Sequence, residues 1–144
     1  YESYANAGCT AAQTVAVAPA SCAQDLSGRH RPYSPDFSGN LRLRHLQPLS
    51  ARLQLRSEVG VYFTDGYFLA GDLDPALVQD SYASVDARLS LGSPDDRWDV
   101  SVIGKNLTDR TILGWGSDQP TSPGSFIVLR DRPRSIAIQA RYRW

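Results

Sequence analysis

The stretch RPRSIAIQARYRW, which ends the 144-residue chain, alternates without a break. Ile136, Ile138, Ala140, Tyr142 and Trp144 fall on one side of a strand, and Ala137, Gln139, Arg141 and Arg143 on the other. An open strand with one apolar face is an aggregation hazard unless a core or a lipid covers that face. This two-faced alternation recurs along the chain and restricts it to a β fold. FSGNLRLRHL sets Leu41 and Leu43 against Arg42 and Arg44; ARLQLRSEVGVYFT sets Leu53, Leu55, Val59 and Val61 against Arg56 and Glu58. YASVDARLSL opposes Val85, Leu89 and Leu91 to Asp86 and Arg88, and RWDVSVIGKNL opposes Trp98, Val100 and Val102 to Asp99 and Ser101. With the last segment these make about five strands, each close to the 9 to 11 residues with which a tilted strand crosses a bilayer.

The connections carry a second pattern. QPLS and SPDD read as short turns, whereas about 65–81 and 109–133 are long, so short and long alternate. Outer-membrane barrels have this asymmetry, with short periplasmic turns and long extracellular loops. On that assignment Phe37, Tyr62, Phe63, Tyr67, Tyr82 and Phe126 gather at the long-loop end, and Trp98 and Trp144 at the short-turn end. Two aromatic belts with aliphatic residues between them suit the two membrane interfaces. No run of 18 apolar residues is present, so no transmembrane helix is expected and strands are the only route into a bilayer. The alternation also fits half-buried strands of a soluble sandwich or lipocalin-like barrel, which stays open at this level.

Composition narrows the rest. Fifteen Lys and Arg balance fifteen Asp and Glu, so no overall basic field argues for nucleic acid. The absence of methionine and of a leader-like start leads us to expect an internal or processed piece. Neither His30 nor His45 has a nucleophile or second ligand at a recognisable spacing, and the glycines form no phosphate loop; no enzyme activity, metal or cofactor is expected. Asn106 opens a glycosylation-type NLT triplet that reads more simply as a strand end. Asp65, Asp72, Asp74 and Asp80 share one long connection but lack the order of a calcium loop, so a solvated loop is expected. Cys9 and Cys22 are either two free thiols or a disulfide closing a loop of about 14 residues, which is worth about 3 kcal/mol in the chain-entropy treatment.

In succession, several segments resemble the C-terminal part of a TonB-dependent outer-membrane receptor. DLSGRHRPYSPDFSGNLRL is similar to the family's loop-to-strand segment, SYASVDARLSL to its penultimate hairpin, RWDVSVIGKNLTDR to its W-x-V-S-V-x-x-x-N-L-T-D signature, and RPRSIAIQARYRW to its closing strand; together they cover about residues 25 to 144. Ile112 stands where an aromatic usually follows, and Trp144 where the family commonly has Phe. The resemblance implies an all-β fold, the antiparallel meander of a transmembrane barrel in the bacterial outer membrane. It further implies import of a scarce nutrient of the iron-siderophore, cobalamin or carbohydrate type with energy from TonB. Tyr142 and Trp144 match the address read by the barrel-assembly machinery.

About five strands cannot close a barrel, which needs at least about 8 and in plugged transporters about 22. The chain is therefore expected to be a C-terminal segment, with residues 1–35 as an extracellular loop and 36–144 as barrel strands, lacking the plug and the motif that engages TonB. Leu41, Leu43, Leu53, Leu55, Val59, Val61, Val85, Leu89, Leu91, Val100, Val102, Ile136 and Ile138 would meet outer-membrane lipid. Arg42, Arg44, Arg56, Glu58, Asp86, Arg88, Gln139, Arg141 and Arg143 would line the lumen around the plug. Trp115, on a Gly-rich connection, is the candidate ligand contact, with a Trp folded back on its own loop or reaching the membrane interface as the equal alternative. A passive porin or adhesin-like barrel and a soluble β-sandwich binding module are the other functional readings.

Overall fold

A computed structural model describes residues 1–16, 22–119, 122 and 124–144. Parts of the first segment (17–21) and of the last long connection (120, 121 and 123) lie outside the described residues. In chain order the elements are α1 (Ala11–Ala16), β1 (Ser38–Ser50), β2 (Leu53–Thr64), β3 (Tyr67–Phe68), β4 (Val78–Gln79), β5 (Tyr82–Gly92), β6 (Trp98–Lys105), β7 (Leu113–Asp118), β8 (Phe126–Arg130) and β9 (Ser135–Tyr142). The fold is all-β and antiparallel. One five-stranded sheet has the order β1-β2-β5-β6-β9, so its strands neighbour each other in chain order as a meander.

Contacts divide the chain into two units. The sheet unit holds Ser38–Thr64, Tyr82–Arg110 and Arg132–Trp144; the loop unit holds Tyr1–Phe37, Asp65–Ser81 and Thr111–Asp131. The two long connections are thus structured, each around a small hairpin, β3-β4 and β7-β8, and they group with the first segment. Periodicity does not reveal β3-β4 because these strands are only two residues each, nor β7-β8, where LGWGSD is broken by two glycines and FIVLR is an apolar run without alternation.

Register explains the two-faced sequence. Leu43 pairs Val59, Val59 pairs Ala87, Ala87 pairs Gly104 and Gly104 pairs Ile136, giving an apolar row across all five strands. One residue away, Arg44 pairs Glu58 and Glu58 pairs Arg88 on the other face. Trp98 lies directly opposite Tyr142. The stretch QPLS, expected as a turn, is instead the end of β1, and the reversal falls on Ala51 and Arg52. β1 is an edge strand with no partner on its far side among the described residues, so Pro48 is tolerated there despite its missing N–H, and the register shifts between Pro48 and Ser50.

Burial in the sheet is reversed from that of a soluble domain. Leu41, Leu43, Ile136 and Ile138 are 68, 70, 69 and 77% exposed. Meanwhile Gln54, Thr64, Ser90, Ser93, Asp99, Ser101 and Asn106 are buried. Every described buried aliphatic side chain, namely Ala7, Leu26, Leu69, Leu73 and Leu77, belongs to the loop unit.

Gly92 allows the polar side to close. A Cβ added there would sit 2.6 Å from the Trp98 carbonyl oxygen and 2.9 Å from Asp99 Cβ, both anchored in the next strand. We expect Gly92→Ala to destabilise the sheet by about 1–3 kcal/mol by overpacking. Gly60→Ala, whose Cβ meets open space, is expected to stay within about 0.5 kcal/mol. Denaturant titration of the β-sheet circular dichroism signal compares the two.

Candidate functional site

The strand pairing brings the charged residues expected on one face into a network. Arg44 donates from Nε to Glu58 Oε2 at 2.8 Å, and Arg42 Nε lies 3.5 Å from Glu58 Oε1. Asp99, 2% exposed, is held in the same way: Arg141 Nη2 is 2.6 Å from Oδ1 and Arg88 Nη2 is 3.5 Å from Oδ2. Ser101 donates its hydroxyl to Asp99 Oδ2 at 2.8 Å, and the Ser90 and Ser101 hydroxyls are 2.9 Å apart. Arg88 Nη2 also donates to Ser101 Oγ at 2.9 Å. A buried carboxylate without partners is strongly destabilising, so two guanidiniums and a hydroxyl around Asp99 are what permit it there.

Asp86 accepts from Lys105 Nζ at 2.7 Å and from the Asn106 backbone N–H at 2.9 Å, and Arg56 pairs with Asp96 in the turn before β6. Gln139 is in register with Ser101 on this face, while Arg143 lies beyond β9 and its backbone N–H donates to the Arg97 carbonyl. The residues expected to line the lumen include the arginines, Glu58 and Asp86 of this network but not Lys105, Asp96, Asp99, Ser90 and Ser101. Alternation gives the side of Ser90, Asp99 and Ser101; only pairing shows that they touch.

The residues expected to meet lipid occupy the opposite face. Leu89, Leu91, Val59, Val100 and Val102 join Leu41, Leu43, Ile136 and Ile138 as exposed, while Leu53, Leu55, Val61 and Val85 are half-buried. Tyr142 and Trp144 are exposed.

The loop unit has its own small core, in which Tyr1 and Phe68 pack against Ala7, Leu26 and Leu73. Cys9 and Cys22 are joined by a disulfide, and Ala7 and Gln24 exchange backbone hydrogen bonds beside it. A cavity of about 400 Å³ is lined by Arg29, His30, Arg31, Asp36, Tyr67 and Phe68 among others. Within it His30 Nδ1 lies 3.1 Å from Asp36 Oδ1; the Arg31 guanidinium is 5.8 Å from the ring centre of Tyr1, which lies outside it. Trp115 sits on β7 opposite Leu129 and is 43% exposed.

Of the four carboxylates noted in one connection, Asp72 and Asp74 come together, and their third neighbour is Asp118 from the other long connection, all within 4.8 Å of one another. Asp118 has no sequence signal tying it to them. Asp118 Oδ2 accepts from the Ala11 N–H at 2.9 Å, and Asp74 Oδ1 accepts from the Ala76 N–H at 2.7 Å. Burial, then the hydrogen bond and charge of Asp118, push the Asp72 carboxyl up to about 6. Asp65 accepts from the Gly66 N–H, and Asp80 is exposed.

A zero net charge conceals a separation between the units. Nine carboxylates and three arginines give the loop unit a formal −6, whereas twelve cations and six carboxylates give the sheet unit +6. No protein-family model, curated protein or solved structure matches this chain.

Because Asp72 holds its proton more tightly folded than unfolded, the stability it contributes is full below about pH 4 and is lost as pH rises through about 6. We expect the melting temperature of the wild-type chain to fall between pH 4.5 and 7 and Asp72→Asn to lessen that fall, measured by circular dichroism at both pH values.

Proposed function

We propose that this chain supplies C-terminal strands to the barrel of a TonB-dependent outer-membrane importer, with its apolar face toward lipid and its charged face toward the lumen and plug. The observation that carries the membrane part is the reversed burial of the sheet: serines and an aspartate are buried while leucines and isoleucines are 68 to 77% exposed along one continuous face. In water such a face is costly, at roughly 25 cal/mol per Å² of apolar surface, whereas in a bilayer it is the favoured side. The two open edges, β1 and β9, are where further strands would pair to close the barrel.

Active import, as against passive passage, rests on the succession of family-like segments, above all WDVSVIGKNLTD over Trp98–Asp109. In this reading the loop unit lies outside the cell, Trp115 and the cavity around His30 are open to the arriving nutrient, TonB engages a segment beyond this chain, and the Tyr142 and Trp144 aromatics guide assembly. A soluble sandwich would require a second layer over Leu41, Leu43, Ile136 and Ile138; among the described residues no such layer buries them.

Circular dichroism and size-exclusion chromatography, in plain buffer and then in detergent micelles, test this reading. We expect β signal and a single species only with detergent. A sharp monomer peak with cooperative melting in plain buffer would overturn it.

A further inference from the structure

We propose that the polar face of the sheet is a docking groove for an extended, acidic polypeptide segment. The inference concerns this face alone and holds whether the opposite face meets lipid or another sheet.

The groove is built with a surplus of positive charge. Two carboxylates are each bracketed by two arginines, Glu58 by Arg42 and Arg44 and Asp99 by Arg88 and Arg141. Each triplet retains one uncompensated positive charge. The other carboxylates of the network are matched one to one, Asp86 by Lys105 and Asp96 by Arg56. A hollow of about 480 Å³ is lined by Arg44, Arg56, Glu58, Arg88, Asp99 and Arg141, and Arg42 lines the adjoining hollow with Glu58 and Arg88.

The chemistry favours carboxylates as the complement. Arginine presents a planar fork that pairs with a carboxylate through two parallel hydrogen bonds, and these arginines already hold carboxylates. Arg42 and Arg44 are only lightly committed, with side chains 62 and 68% exposed and one Glu58 between them. Electrostatic complementarity of this kind sets partner choice and association rate. Size favours a chain over a small anion: the triplets run from β1 to β9, four strand spacings or about 19 Å. A single phosphate or carboxylate would satisfy one triplet and leave the other charged, whereas a segment with acidic residues along an extended backbone reaches both.

The test is fluorescence anisotropy of a labelled eight-residue glutamate-rich peptide titrated with the full chain in zwitterionic micelles. The glutamine counterpart of the peptide, inorganic phosphate and a single-stranded oligonucleotide of equal charge serve as competitors. Removing Arg88 or Arg141 would strand the buried Asp99, so the diagnostic variant is the exposed pair Arg42→Gln and Arg44→Gln. Arg134→Gln, whose partner is Asp109, is the control. We expect salt-sensitive binding of the glutamate peptide, weakened about tenfold or more by the double variant and unchanged by the control. Absence of binding, an unaffected double variant, or equal competition by the glutamine peptide, phosphate or oligonucleotide would overturn the proposal. The readout is independent of detergent dependence, so failure here is distinct from failure of the importer reading.

Discussion

The sheet depends on a balance between two faces that want different surroundings. Alternation along each strand, carried across the sheet by a register that shifts only at the Pro48–Ser50 end of β1, collects leucine, isoleucine and valine on one side and arginine, aspartate and serine on the other. A one-residue slip in any pairing would place a guanidinium in an aliphatic row, so the same pattern that creates the apolar face also fixes how the strands meet. Among the described residues that face buries no aliphatic side chain fully. Within the sheet unit the buried groups are polar, and cohesion comes from backbone ladders and from ion pairs and hydroxyls on the charged side.

Asp99 shows how closely that side is organised. Its carboxylate is almost wholly removed from solvent, beneath a glycine that leaves room for it and between two arginines and a serine hydroxyl. Such an arrangement is specific more than it is strong, since the desolvation of each ion offsets most of its attraction. What it does fix is the position of the guanidiniums. The charge surplus that results is a property of one face and is invisible in the net charge of the chain.

The loop unit follows a different logic. It has a small aliphatic core, a disulfide between Cys9 and Cys22, and two hairpins drawn from separate connections. Burial, and then the neighbouring Asp118, make Asp72 keep its proton well above the ordinary range. Long connections that form a packed unit of their own can hold a cavity and an exposed tryptophan in defined places, which unstructured loops do not.

The sequence by itself determined the five long strands and the side on which every alternating residue lies, because a period of two is a local property that neighbouring residues enforce on one another. It misplaced one turn at Pro48, because whether a proline ends a strand depends on whether that strand is an edge. The tertiary structure alone decided that Asp118 meets Asp72 and Asp74, that the two long connections carry hairpins, and that Glu58 and Asp99 are each shared by two arginines. Those are contacts between residues far apart in the chain, and no local pattern encodes which distant strand or loop will come to lie beside another.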